Sequence, residues 1–161
     1  MKFPENIFVG TLDPFHLGHV EAIKMAEETF KCKVAIVIIE NKAKKEKTFS
    51  FSERLEIVKS YLPNTKIFIA KDDKELQDFW SNAKNVIRKS RGIFDAEEDQ
   101  KTCDLHGVDF NKIKYFEIVK YKNVSSTKIK ILSIVNNDNK TPFGINDFTA
   151  NMIKNAHRSN C

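Results

Sequence analysis

The sequence predicts an α/β fold: a single-domain, doubly wound, parallel five-stranded sheet with C-terminal helices. Two observations predict it. Short apolar runs alternate along most of the chain with stretches of helical spacing, the pattern of repeated βα units. Within the 33–39 run, Val-Ala-Ile-Val-Ile-Ile is continuous and largely β-branched, which suits a parallel strand covered on both faces. At 161 residues the chain has the usual size of one domain and can bury a real core. Residues 1–135 are expected to form that core, and 136–161 a connector and a last helix.

Taken in order, Ile7–Gly10 is an apolar run ending on glycine and reads as the first strand. Val20, Ile23, Ala26 and Phe30 then recur at helical spacing, so a helix runs to about Thr29. Residues 33–39 are the second strand. Ser50-Phe51-Ser52-Glu53 has the spacing of a capping box and opens a helix carrying Leu55, Val58, Tyr61 and Leu62, stopped by Pro63. Lys66–Ala70 is the third strand, Glu75–Ala83 a helix and Asn85–Ile87 a short fourth strand. Asp95–Gln100 reads as helical and Tyr115–Tyr121 as the fifth strand. Ser125–Val135 and Asn146–His157 are closing helices, separated by the Asn/Asp/Gly/Pro-rich connector 136–144.

Hydrophobic residues make up 41% and charged residues 30%, which argues against general disorder. The longest apolar run, Val34–Ile39, falls far short of the ~18 residues of a membrane helix. The start, Met1 to Asn6, lacks the apolar stretch of a secretory signal, so a cytoplasmic protein with no membrane partner is expected. Cys32, Cys103 and Cys161 form no C-x-x-C pair and read as reduced thiols. The net charge of +5 suits an enzyme whose substrates carry phosphates. Few aromatics are interleaved with the basic residues, so nucleic acid is not the expected partner.

In open parallel sheets the ligand sits beyond the carboxyl ends of the strands, so the residues that follow strands carry most meaning. After the first strand comes Gly10-Thr11-Leu12-Asp13-Pro14-Phe15-His16-Leu17-Gly18-His19. Its two histidines, three apart, share one face of a first helical turn, where unpaired N–H groups and the helix dipole favour an anion. Gly18 is expected to let a phosphate or base approach the backbone. Without a third ligand nearby, the histidines are weak candidates for zinc. After the second strand, the lysines of residues 42–47 place mobile point charges in a loop. Arg88 and Arg91, three apart behind the predicted fourth strand, offer forked donors for phosphate. Ser125, Ser126 and Thr127 open a helix with hydroxyls that suit phosphate contact or capping.

The first of these segments resembles the (H/T)xGH motif of the nucleotidyltransferase superfamily, whose members have a Rossmann-like fold. Asn41 to Arg54 is similar to the N-x-x-K-K-x-x-F-S-x-x-E-R segment of phosphopantetheine adenylyltransferases. Arg88-Lys89-Ser90-Arg91 is similar to their I-R-G-x-R stretch, and Leu76 to Trp80 to their L-x-D-F-A. Residues 121–128 resemble the superfamily's ISSS/T-x-I/V-R/K motif. The four principal segments occur in the family's order.

The resemblance implies adenylyl transfer from ATP, accompanied by Mg²⁺, to phosphopantetheine, giving dephospho-coenzyme A and pyrophosphate. It implies His19, Lys44 and Arg91 as catalytic residues. ATP would be bound by Gly10, Thr11, His16, Gly18, His19, Lys89, Ser90, Arg91, Asp99, Tyr121, Ser125, Ser126 and Thr127. The acceptor would be bound by Thr11, Lys44, Lys45, Leu76 and Arg88. Counting from Asn41 selects Lys44 for the substrate phosphate and counting back from Phe49 selects Lys45. No dedicated metal ligands are implied, and a homo-oligomer, hexameric in the family, is.

His16 stands where threonine is common among phosphopantetheine adenylyltransferases. HLGH is commoner in cytidylyl- and nicotinamide-nucleotide transferases. Residues 96–107 depart from the family's cleft helix. A cytidylyltransferase, a nicotinate or nicotinamide mononucleotide adenylyltransferase, and a non-catalytic nucleotide-binding protein therefore remain as alternatives.

Overall fold

The computed structural model describes residues 2–40, 48–90, 94–135 and 141–159. Five strands form one sheet: β1 (Asn6–Gly10), β2 (Ala35–Ile39), β3 (Ile67–Ala70), β4 (Asn85–Ser90) and β5 (Ile113–Glu117). Its order is β3-β2-β1-β4-β5 and every pairing is parallel. The helices are α1 (Leu17–Phe30), α2 (Phe51–Tyr61), α3 (Asp73–Asn82), α4 (Phe94–His106), α5 (Ser126–Val135) and α6 (Asp147–Ser159). The chain winds outward from β1 to β3, then returns to β1 and builds β4 and β5 on its other side. That reversal puts the switch point, and with it the expected ligand crevice, between β1 and β4.

Strand alternation divides the core into two layers. Phe8, Ile36, Ile38 and Ile87 point to the face covered by α1, α2, α5 and α6, where Ala22, Ile23, Ile57, Val58, Ile129 and Ile153 are buried against them. Ile7, Val9, Val37, Ile39 and Val86 point to the other face, where Leu76, Phe79 and Trp80 of α3 and Cys103 of α4 cover them. Local signals start the helices where they were read. Ser50 Oγ accepts the Glu53 N–H at 3.2 Å, and the Glu53 carboxylate accepts the Ser50 N–H at 3.0 Å, so the capping box at α2 forms in full. Asn146 Oδ1 accepts the Thr149 N–H at 2.9 Å and starts α6.

Three boundaries differ from the sequence reading by more than two residues. β4 continues to Ser90 because Arg88, Lys89 and Ser90 pair with Tyr115, Phe116 and Glu117, so these polar residues lie in the sheet rather than after it. β5 stops at Glu117 instead of Tyr121, because the Glu21 carboxylate takes the N–H groups of Val119, Lys120 and Tyr121 at 2.9, 3.1 and 3.0 Å. The acidic helix runs on from Phe94 to His106 as one element. No helix among the described residues is long and apolar enough to cross a membrane.

Candidate active site

A cavity of about 430 Å³ opens at the carboxyl ends of β1 and β4 and extends into the layer between the sheet and α3/α4. Its outer end is polar, with Gly10, Thr11, His19, Lys89, Ser125, Ser126 and Thr127 on its wall. Its inner end is largely apolar, with Leu76, Trp80, Val108 and Ile113. The two differ because the outer end is built from strand tips and helix starts, and the inner end from the buried faces of helices.

The β1–α1 loop is the centre of the site. Leu12 turns back at φ 55° and lays its side chain over Gly10, where a Cβ would stand 3.0 Å from Leu12 Cδ2. The Asp13–Pro14 peptide is cis. His16 then caps α1, its Nδ1 accepting the Gly18 N–H at 3.0 Å, while His19 Nδ1 accepts the His16 N–H at 3.0 Å. Because each Nδ1 accepts, each neutral ring carries its proton on Nε2, so His19 meets the cavity as an Nε2–H donor. Stacking on Phe15, with ring centroids 5.1 Å apart, fixes the His19 ring further.

Four tethers hold this loop. Arg54, 1% exposed, donates from Nη1 to the carbonyls of Thr11 and Ile39 at 2.8 and 3.1 Å, and from Nη2 to Glu40 at 2.6 Å. The Asp13 carboxylate accepts the N–H groups of Thr48 and Phe49 at 2.8 and 2.9 Å and lies 3.6 Å from Lys130 Nζ. Ser126 Oγ donates to the Pro14 carbonyl at 2.9 Å. The Leu17 N–H donates to the Gly144 carbonyl at 2.8 Å. Segments far apart in sequence thus meet on residues 11–17.

Across the crevice, the β1–β4 register ends at Phe8 and Ile87. The Val9 carbonyl beyond it accepts Arg88 Nη1 at 2.8 Å. Arg88 also donates from Nη2 and Nε to Asp99, at 2.9 and 3.4 Å, and the Tyr115 hydroxyl donates to Asp99 at 2.8 Å. These bonds use three of the five guanidinium N–H groups, and the side chain stays 35% exposed. Burial, helped by the Asp99 carboxylate, holds the Tyr115 hydroxyl protonated well above its ordinary range. The same two influences push the Cys103 thiol up to about 11.

Of the residues read from sequence, Gly10, Thr11, His19, Leu76, Arg88, Lys89, Asp99, Ser125, Ser126 and Thr127 come together on the cavity wall. His16, Gly18, Ser90 and Tyr121 are not on it. His16 is fully buried, and Tyr121 packs on Phe143 with ring centroids 5.2 Å apart. Gly18 is required by a different neighbour than expected: a Cβ there would stand 2.8 Å from His16 Cε1, so the space belongs to the imidazole rather than to a ligand. Ser125 Oγ accepts the Lys128 N–H at 3.1 Å, so it caps α5 whatever else it binds. Lys44, Lys45 and Arg91 lie outside the described residues, as does 136–140 of the connector.

The sequence reading missed the loop-holding roles of Asp13, Glu21 and Arg54. Arg54 had a signal: it sits three and four positions before the core residues Ile57 and Val58, on the buried face of α2. Asp13 and Glu21 had none, since their partners are 35 and about 98–100 residues away.

Comparison with known proteins agrees with this architecture. The cytidylyltransferase-like family matches residues 7–131. A phosphopantetheine adenylyltransferase of Wigglesworthia glossinidia brevipalpis is 30% identical over 136 residues, 81% of this chain and 80% of the relative. One of Petrotoga mobilis is 27% identical over 146 residues, 86% and 88% of the two chains. The fold also matches that of Plasmodium falciparum nicotinic acid mononucleotide adenylyltransferase complexed with NaAD, at a TM-score of 0.64 and 16% identity over 96% of each chain. The chain belongs to the cytidylyltransferase-like family and is a nucleotidyltransferase.

Proposed function

We propose that the chain transfers the adenylyl group of ATP to phosphopantetheine, giving dephospho-coenzyme A and pyrophosphate, in the cytoplasm. The observation that carries the reading is the two-ended cavity. One end offers a fixed His19 Nε2–H, Lys89, Arg88 and helix-start hydroxyls, which suit a triphosphate and an acceptor phosphate. The other offers an apolar channel, which suits a long uncharged arm. The relatives of Wigglesworthia and Petrotoga carry this activity in their names, which supports the acceptor. His16 argues less for a nicotinate or cytidylyl acceptor than its type alone does, because its capping role is independent of the acceptor.

An oxygen of the acceptor phosphate attacks the α-phosphorus of ATP in line, the bond from that phosphorus to the bridging oxygen breaks, and pyrophosphate leaves. No protein nucleophile is needed. His19 donates to the α-phosphate oxygens as charge builds on them, and Arg88, tethered by Val9 and Asp99, turns its remaining N–H groups to the acceptor phosphate. Resemblance adds Lys44 or Lys45 and Arg91 to this set. Mg²⁺ accompanying ATP would be held mostly through the phosphates and water, with few dedicated protein ligands. The same reading includes homo-oligomeric assembly, hexameric by resemblance, which would cover exposed apolar side chains such as Ile131, Leu132 and Phe148.

Pyrophosphate release tests the reading, with ATP or CTP offered against phosphopantetheine, nicotinate mononucleotide and glycerol phosphate. Turnover with ATP and phosphopantetheine alone supports it. Turnover with nicotinate mononucleotide or with CTP in its place overturns the acceptor or the donor assignment.

A further inference from the structure

Arg88 and Tyr115 are direct partners in the β4–β5 register, so their side chains leave the sheet on the same face. Both reach Asp99 of α4, which is 8% exposed. Arg88 gives Asp99 its Nη2 and Nε, at 2.9 and 3.4 Å, and the Tyr115 hydroxyl donates to Oδ2 at 2.8 Å. Oδ2 is the oxygen that Arg88 holds less closely, and Tyr115 supplies the shorter bond to it. Arg88 Nη1 donates to the Val9 carbonyl at 2.8 Å, which leaves one N–H on each Nη. Arg88 lines the cavity and Tyr115 does not.

This arrangement answers two needs. A guanidinium on a long stem recognises a phosphate best when its plane is fixed beforehand, because freezing its rotamers on binding costs affinity. The Val9 carbonyl fixes one side of the Arg88 fork and Asp99 the other. A carboxylate gripped mainly through one oxygen still twists about its own Cβ–Cγ bond, and a donor to Oδ2 from the neighbouring strand stops that twist. The second need is charge. A carboxylate beside a phosphate site weakens it, and a hydrogen bond from a phenol takes up part of the carboxylate's charge, leaving more of the guanidinium's for the anion. A carboxylate with both oxygens engaged in this way is poorly suited to meet a triphosphate itself.

We propose that Tyr115 is a positioning residue for the acceptor: through Asp99 it fixes the plane of the Arg88 fork against the acceptor phosphate, and Asp99 serves Arg88 rather than ATP. The inference rests on the reading of Arg88 as a ligand of the acceptor phosphate and deepens it. Tyr115 touches no substrate and acts only through the other two residues.

Steady-state kinetics with ATP and phosphopantetheine test it, with thermal melting to establish that each variant is folded. Tyr115→Phe keeps the ring and removes only the donor. It should lower kcat/KM for phosphopantetheine about tenfold, the low end of what a hydrogen bond to a charged group is worth, while the KM for ATP stays within about twofold. In an Arg88→Met background the same substitution should change kcat/KM for phosphopantetheine by less than about twofold, because the group it positions is gone. A merely structural tyrosine would cost the same in both backgrounds and would move the KM of both substrates. Asp99→Asn tests the other link whether or not Tyr115→Phe folds, and should raise the KM for phosphopantetheine while leaving that for ATP in place. A raised KM for ATP in either variant, or unaltered phosphopantetheine kinetics in Tyr115→Phe, overturns the inference while wild-type turnover of phosphopantetheine stands. Absence of that turnover in the wild-type protein overturns the reading beneath it, and the inference with it.

Discussion

Arg54 donates from Nη1 to the carbonyl oxygen of Thr11 at 2.8 Å, across 43 residues of sequence, and so ties helix α2 to the tip of β1. The guanidinium is 1% exposed, and the Ile39 carbonyl and the Glu40 carboxylate take two more of its N–H groups. Only a planar fork can serve a neighbouring pair of carbonyls and a carboxylate together. Arg54→Met should leave the two carbonyls unpaired and cost about 2–4 kcal/mol in urea unfolding. Arg54→Lys should recover less than half of that loss. An unchanged midpoint for either variant would show that the tether contributes nothing.

Gly18 and His16 form a second coupled pair. Gly18→Ala puts a methyl group into the His16 ring and should destabilise the protein by about 1–3 kcal/mol. In a His16→Ala background the same methyl group loses the clash with the ring and keeps only an ordinary 3.4 Å contact with Ile118 Cδ1. The cost of Gly18→Ala should then fall by at least about 1 kcal/mol, as a double-mutant cycle would measure. Additive effects would mean that glycine is needed there for some other reason.

Glu21 sets an acid limit on the turn that leads into the Ser125–Thr127 segment. Burial raises its pKa, but three backbone hydrogen bonds outweigh that, and the carboxyl ends below its ordinary value of 4.5. A depressed pKa stabilises the fold above the ordinary value, and that contribution is lost as pH falls through the folded value. Thermal midpoints should therefore fall more steeply in the wild-type protein than in Glu21→Gln as pH drops below 4.5. Parallel curves would remove Glu21 from this role.

Cys103 should resist alkylation. Burial and the Asp99 carboxylate raise its thiol to about 11, so at neutral pH about one molecule in ten thousand carries the thiolate. Peptide mapping after iodoacetamide should find exposed Cys32 labelled and Cys103 unlabelled in the native protein. Both should react in urea.

Much of this could be read from the sequence because its signals are local. The β-branched run at 34–39 is a strand wherever it is buried, and Ser50 and Glu53 cap a helix within four residues of chain. The ten residues from Gly10 to His19 contain a strand end, a turn and a helix start, which is why the outer end of the cavity was legible. What stayed hidden depends on partners distant in sequence. The end of β4 is decided by the register with β5, and the end of β5 by Glu21. The purpose of Gly18 was legible only in part, since spacing shows a close approach but not that an imidazole makes it. Tyr115 and Asp99, 16 residues apart, carry no joint sequence signal.

The central claim is that His19 presents an Nε2–H to the α-phosphate during adenylyl transfer. It is tested most directly by pyrophosphate release from ATP and phosphopantetheine in the wild-type protein and in His19→Ala, with circular dichroism establishing that the variant is folded. A fall in kcat of about 10²–10³-fold is expected in a protein of native spectrum and melting profile, the size of loss that follows removal of one donor to a developing charge. A folded His19→Ala variant that turns over within a fewfold of the wild-type rate would contradict it.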